Sequence, residues 1–504
     1  MKPKRKRSPT RQMRPSAPAK PHRVRNRAWP LAVALTAAIL GLIASTSAHA
    51  QDRAPAGADH LAFSNAAVGP RPGYQGRVFK LSHDYPAQLP SACADCTWLA
   101  AELKPNFMPV FPAQPMAADA WTRGPWAAYI GRILDYVKEG QDPNLADSLG
   151  FQVQVKGRTR WFNVPWMAVD PTAGREFIHG TTNERTAHLS DIIGPAGKSG
   201  DSRRGVHLLP GTTEACKTKY PHGFESWSVG YYNEWGGHAL GRAFGRDGRP
   251  RMTSANGVPV PAGLPFAQGT MVVKVLTTSA PEECVPLLKD APQWTVDRHV
   301  MDAKTGYQCE RTPQTSRVVQ IDVAVVDNRN PTRWVYGTFV YDGTQPGKTF
   351  WDRLLPLGLQ WGSDPWTFPA VPRSESQPLQ QTVLNPAVKL PEHQGCEKRL
   401  AGPVDNPQSS CVSCHASAFA APVGSNTVMG LNVPPSFGFP GLCSTYSLDN
   451  AAYFQNINTP QAFPGGRYPK AINLDTSLQL EVALTQYGLF ATRTPQACSN
   501  PNQF

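Results

Sequence analysis

The first 50 residues contain no acidic side chain, and residues 30–50 contain no charged side chain at all. Beyond them, no segment is long and apolar enough to span a bilayer, which takes about 20 residues. These two gaps decide how the net charge of +13 is read. Eleven Lys and Arg side chains fall within residues 1–29, so the rest of the chain carries only about +2. The basic surplus is therefore an N-terminal arm, and nothing in it calls for a nucleic-acid partner. The arm runs into "AWPLAVALTAAILGLIASTSAHA" (28–50), which ends in the small-residue pattern Ala48-His49-Ala50. A basic stretch, a short apolar stretch and a small-residue site predict a secretory signal peptide cleaved before Gln51, with an uncleaved anchor as the other reading. No Arg-Arg pair precedes the apolar stretch, which argues against twin-arginine export. The expected location is periplasmic or secreted, with no membrane span once the signal is removed.

Export implies an oxidising compartment, where cysteines pair. Of ten cysteines, Cys411 and Cys414 belong to a motif discussed below, and eight remain. An even number suggests up to four disulfides. Cys284 with Cys309 and Cys443 with Cys498 are the expected pairs. Cys93-Ala-Asp-Cys96 reads as a tight disulfide or as two halves of separate bridges.

With 50 Pro and 42 Gly in 504 residues, many turns and long loops are expected. Residues 125–139 show apolar spacing near 3.6 and predict an amphipathic helix. "LGFQVQVKGRTRWFNVPWM" (149–167) alternates like a strand and its turn. The densest strand signals are "GTMVVKVLTT" (269–278), "RVVQIDVAVVD" (317–327) and "TRWVYGTFVYDG" (332–343); the last two, joined by "NRNP", predict an antiparallel hairpin. Residues 474–490 predict a closing amphipathic helix. There is no internal repeat.

"SSCVSCHASAFA" (409–420) holds the spacing Cys411-x-x-Cys414-His415. Two thiols at this separation can form thioethers with the vinyl groups of a haem, and the following imidazole can bind its iron. The motif therefore points to one covalent haem c, with His415 as the proximal iron ligand. Zinc would want a second ligand pair, and none follows at zinc spacing. No second attachment motif exists, because Cys96 is followed by Thr97. Met429 is the candidate sixth ligand of an electron carrier, and its other reading is loop packing. Among the histidines, His179 stands out for the charged residues around it.

Three segments in order, "PFAQGTMVVKVL" (265–276), "QIDVAVVDNRNPTRWVYGTFVYDG" (320–343) and "CVSCHASA" (411–418), resemble the mono-haem P-four-sixty cytochromes and the β-sheet cytochromes c-prime. The resemblance covers about residues 225–420. It implies a small antiparallel sheet over the haem, a lysine at Lys274 where hydroxylamine-oxidising members carry a haem cross-link, and an acidic residue at Asp322 over the open iron face. Asp322 is one methylene shorter than the family's glutamate, and no residue matches the family's distal arginine. From the residues alone, Lys274 and Asp322 interrupt apolar strands, where a charge is costly unless paired or functional. A salt bridge between them, solvent exposure, or a role at the haem all remain open.

The expected fold is thus α+β: an antiparallel β-sheet packed over a single covalently attached c-type haem, with helical and loop-rich extensions. Residues 1–50 would be arm and signal peptide, 51–224 an N-terminal extension of unassigned role, 225–430 the haem-binding sheet region, and 431–504 a C-terminal loop and helix. The expected function is an exported, redox-active haem protein that binds or oxidises a small nitrogen or oxygen species at an open haem face. The alternative is a six-coordinate electron-transfer cytochrome serving a periplasmic oxidoreductase. The partner is then a small-molecule ligand or a redox protein.

Overall fold

Valine-rich alternation in the middle of the chain makes one large sheet. The protein's structure, a computed structural model, describes residues 81–107, 119–166, 206–362, 379–420 and 472–492, apart from short breaks within those spans, and the short ladder within 169–175. The elements that frame the site are α1 (Trp126–Lys138), β1 (Phe224–Tyr232), α2 (Glu234–Phe244), β2 (Met271–Thr278), β3 (Gln293–Asp302), β4 (Gly306–Val326), β5 (Trp334–Tyr341), β6 (Leu354–Gln360), β7 (Thr382–Leu384), α3 (Cys411–His415) and α4 (Leu478–Thr492). The sheet runs β7-β6-β5-β4-β2-β1 and ends on Val206–His207, with β3 paired to the outer part of the 21-residue β4. Every pairing is antiparallel. The described fold is a mixture of helix and antiparallel sheet, mostly strand, as the sequence predicts. β4 and β5 form the expected hairpin.

Alternation sends successive side chains to opposite faces. On one face Met271, Val273 and Val275 of β2 and Ile321, Val323 and Val325 of β4 are sealed from solvent. The amphipathic α1 covers this face: Trp126, Tyr129, Ile130, Ile133, Tyr136 and Val137 recur at helical spacing and are all buried. They share one apolar cluster with the strands, as do Trp98 and Trp161 from the segments before β1. Trp126 stacks on Trp361 just past β6, with ring centroids 4.6 Å apart. Tyr129 donates to Asp327 in the β4–β5 turn at 3.0 Å.

The opposite face carries Val272, Ala324, Val326, Trp334 and Tyr336. These join a second cluster with Val412 of α3 and Leu480, Ala483 and Leu484 of α4. The motif helix and the closing helix therefore meet on the sheet face turned away from α1.

Two disulfides brace the described residues. Cys93 pairs with Cys96, the tight bridge allowed by the spacing. Cys284 pairs with Cys216, which corrects the expected bond to Cys309. The reason is tertiary: the Thr213 N–H donates to the Cys284 carbonyl at 3.0 Å, which lays the helix Glu214–Lys219 beside Cys284. Cys443, Cys498, Met429, His179 and the signal segment lie outside the described residues. Among the described residues no helix is long and apolar enough to cross a membrane.

Candidate functional site

One register row across the sheet brings the two charged side chains of its second face side by side. Gly230 of β1 is opposite Lys274 of β2, Lys274 is opposite Asp322 of β4, Asp322 is opposite Thr338 of β5, and Thr338 is opposite Gly358 of β6. Strands lie about 4.8 Å apart, so the row from Gly230 to Thr338 spans roughly 14 Å. Neither solvent exposure nor a simple apolar floor describes it: Lys274 and Asp322 are both partly buried and face each other across adjacent strands.

At the Thr338 end sits the motif helix. Cys411 Sγ lies 3.7 Å from Thr338 Oγ1. α3 is fixed by its N-terminal N–H groups: Cys411 donates to the Leu400 carbonyl at 3.0 Å and Val412 to Oε1 of the buried Gln360 at 2.9 Å. Cys411 and Cys414 are not joined to each other, whereas Cys93 and Cys96 at the same spacing form a disulfide. Burial, followed by the nearby Asp405 and Asp322 charges, pushes the Cys411 thiol well up, so it is held protonated.

His415 is oriented from behind. Its Nδ1 lies 2.9 Å from the Thr476 carbonyl, and with Nδ1 donating there, Nε2 keeps the lone pair. Tyr336 packs against the imidazole, with ring centroids 4.6 Å apart. The Thr476 carbonyl reaches His415 because the chain turns through two consecutive left-handed residues, Asp475 (φ 52°) and Thr476 (φ 61°). This conformation is costly for a β-branched residue. Three contacts hold the turn. Arg333 grips the buried Asp475 carboxylate with bonds of 2.9 and 3.0 Å, Thr476 Oγ1 meets the Tyr336 hydroxyl at 2.6 Å, and Ser477 Oγ meets the Tyr232 hydroxyl at 2.9 Å. Ser477 also accepts from the Leu480 N–H at 3.2 Å and so caps α4.

These pieces line a half-open pocket whose interior, counted as room for water-sized guests, is about 40 Å³. Lys274, Asp322, Tyr336, His415 and Gln479 line it, with Val272, Ala324 and Trp334 as apolar wall. Three residues singled out from sequence, Lys274, Asp322 and His415, thus share one cavity, while Cys411 lies against Thr338, the register partner of Asp322.

Asp322 is the most perturbed acid of the site. Burial, then repulsion from Asp405, push its carboxyl up to about 8; Lys274 and hydrogen bonds from Gln320 and Thr338 oppose the shift. Gln320 Nε2 bridges the two acids, donating to Asp322 Oδ1 at 2.8 Å and to Asp405 Oδ2 at 3.2 Å. At neutral pH Asp322 therefore mostly carries a proton, which makes it a donor first and a base only as the pH climbs. Among the described residues no cluster of three or more His, Cys, Asp or Glu is placed to hold a bare metal ion.

The sequence reading missed Thr476, Gln479, the Arg333–Asp475 pair and Gln360. It placed the closing helix from 474, whereas α4 begins at Leu478 and the four residues before it form the turn behind His415. The sequence did hold a signal: Asp475, Thr476 and Ser477 are cap and turn residues directly before the apolar run.

Comparison with family models, with curated proteins and with solved structures finds no match. The functional reading rests on the residues of this cavity.

Proposed function

We propose that the protein is an exported c-type haem protein, with haem attached at Cys411 and Cys414 and His415 as its proximal ligand, that binds or oxidises a small nitrogen or oxygen species in the cavity. The observation that carries this is the meeting of Lys274, Asp322 and His415, from three distant parts of the chain, around one largely apolar space. The donor set suits the group. The two motif cysteines are not bonded to each other, which leaves both sulfurs for thioether bonds to a haem. The imidazole has its second nitrogen tied to a backbone carbonyl, the usual support of a metal-binding histidine. The two disulfides suit an oxidising compartment.

A haem bound there supplies an electron-accepting iron whose potential responds to burial and ligation. The chain's own residues do the rest. The Thr476 turn and Tyr336 fix the His415 ring plane. Val272, Ala324 and Trp334 exclude water from one side of the space. Asp322 takes up or gives the proton that accompanies electron transfer from an N–H or O–H substrate. Lys274, opposite Asp322, favours its ionised form and so eases that proton loss.

The test is expression with the c-type maturation machinery, followed by mass spectrometry of the peptide spanning Cys411 and Cys414. The expected peptide carries one haem mass, lost in Cys411→Ser/Cys414→Ser. Oxidation of hydroxylamine, or binding of nitric oxide to the ferrous protein, should then be seen. The proton-accepting step should rise with pH through a limb near 8 that Asp322→Asn removes. A haem-free peptide overturns the proposal. A low-spin six-coordinate spectrum that disappears in Met429→Ala turns it into the electron-carrier alternative.

A further inference from the structure

We infer that Gln479 is a guest-binding residue of this cavity, its carboxamide pairing with a small neutral molecule that presents a hydrogen-bond donor and an acceptor side by side on one edge, as primary amides and oximes do. The inference deepens the reading of the cavity given above and rests on it.

Gln479 lies in the first turn of α4 and is only 5 % exposed. It lines the cavity, yet neither Nε2 nor Oε1 has a hydrogen-bond partner among the described residues. Buried amide atoms are rarely left so, because each has given up water without replacement. Both halves of the amide need a partner at once. The matching guest donates to Oε1 and accepts from Nε2 along one edge. A carboxylate lacks the donor that Oε1 requires. A cation is disfavoured by Lys274, which is paired in register with the strand position on which the amide rests.

That position is Gly230, and its lack of a side chain is what admits the amide. A Cβ built there would fall 1.5 Å from Gln479 Nε2 and 2.3 Å from Oε1. Gly230 also accepts from Asn163 Nδ2 at 2.9 Å, which fixes the strand beneath the amide. The Gly230–Lys274–Asp322–Thr338 row thus has a two-point hydrogen-bonding edge above one end and the Cys411 thiol at the other. A guest held by Gln479 sits beside Lys274, one strand away from Asp322.

The test uses the purified full-length protein and two probes of nearly equal size, acetamide and acetone, titrated by ligand-observed nuclear magnetic resonance. Acetone accepts but cannot donate. The wild-type protein should prefer acetamide by about tenfold, the scale of one good hydrogen bond, and Gln479→Leu should bring the ratio to near one. Gly230→Ala displaces the amide without removing it and should also lower the ratio, so the inference stays testable if Gln479→Leu does not fold. A wild-type protein without the preference, or a ratio unchanged in the folded variant, overturns it. The probe ratio is read whether or not haem is attached. A haem-free Cys411–Cys414 peptide would therefore remove the proposed function and leave this measurement to decide Gln479 by itself.

Discussion

Asp322 shows how one side chain can be both a functional group and a stability cost. Its ordinary carboxyl value is 3.8, and burial with the Asp405 charge raises it to about 8 in the folded chain. Between these values the folded state holds a proton that the unfolded state has released, so folding loses stability as the pH rises through that window. The contribution is fully present below about pH 4 and gone above about pH 8. Asp322→Asn cannot ionise and escapes this loss. Thermal melts from pH 5 to pH 9 should show the variant gaining on the wild type by several degrees as the pH rises; an equal gap at both ends would contradict the assignment. Strand alternation already marked Lys274 and Asp322 in the sequence as charges among valines. That they face each other, and that Asp405 and Gln320 lie against Asp322, depends on pairing register and on a loop some eighty residues away.

At the scale of elements, the turn before α4 matters more than its length suggests. Residues 474–477 hold His415 from behind, and the turn's left-handed backbone is kept by the ion pair between the largely buried Arg333 and the fully buried Asp475. Removing one partner of a buried ion pair leaves a charge without compensation and costs about 3–5 kcal/mol. Arg333→Met should therefore lower the unfolding free energy by that order in denaturant titrations, and adding Asp475→Asn should recover much of it. If the single variant were as stable as the wild type, the pair would not be what secures the turn. The strands and α1 were legible because alternation and 3.6-residue spacing are local signals. The start of α4 was misplaced because apolar spacing continues into the turn, while the cap that stops the helix is a single Ser477 side chain.

At the scale of the whole described unit, the sheet is covered on both faces by different parts of the chain. The segments before β1 share the α1-side cluster with the strands, so Trp98, Phe107 and the buried residues from Ala120 to Trp161 help build the core that positions the site. Arg329 in the β4–β5 turn reinforces this, donating to the Trp98 carbonyl while paired with the buried Asp327. The Cys216–Cys284 disulfide closes a loop of sequence separation 68, against 3 for Cys93–Cys96. Loop-closure entropy assigns about 4 kcal/mol to the longer bridge and about half that to the shorter. Cys216→Ser/Cys284→Ser should therefore lower the melting temperature more than Cys93→Ser/Cys96→Ser. The reverse order would show that local packing, and not chain entropy, sets their worth.

By itself the sequence determined the strand pattern, the amphipathic α1 and the thiol–thiol–imidazole spacing at 411–415, because each is written in neighbouring residues. It also set the two charged positions in the strands apart from their surroundings. Only the tertiary structure decided that these positions and His415 border one cavity, that Cys284 meets Cys216, and that Gln479 lies with its amide over Gly230. Those facts come from register, from a buried ion pair and from a glycine's missing side chain. Each joins residues far apart in the chain, and no local periodicity encodes such a meeting.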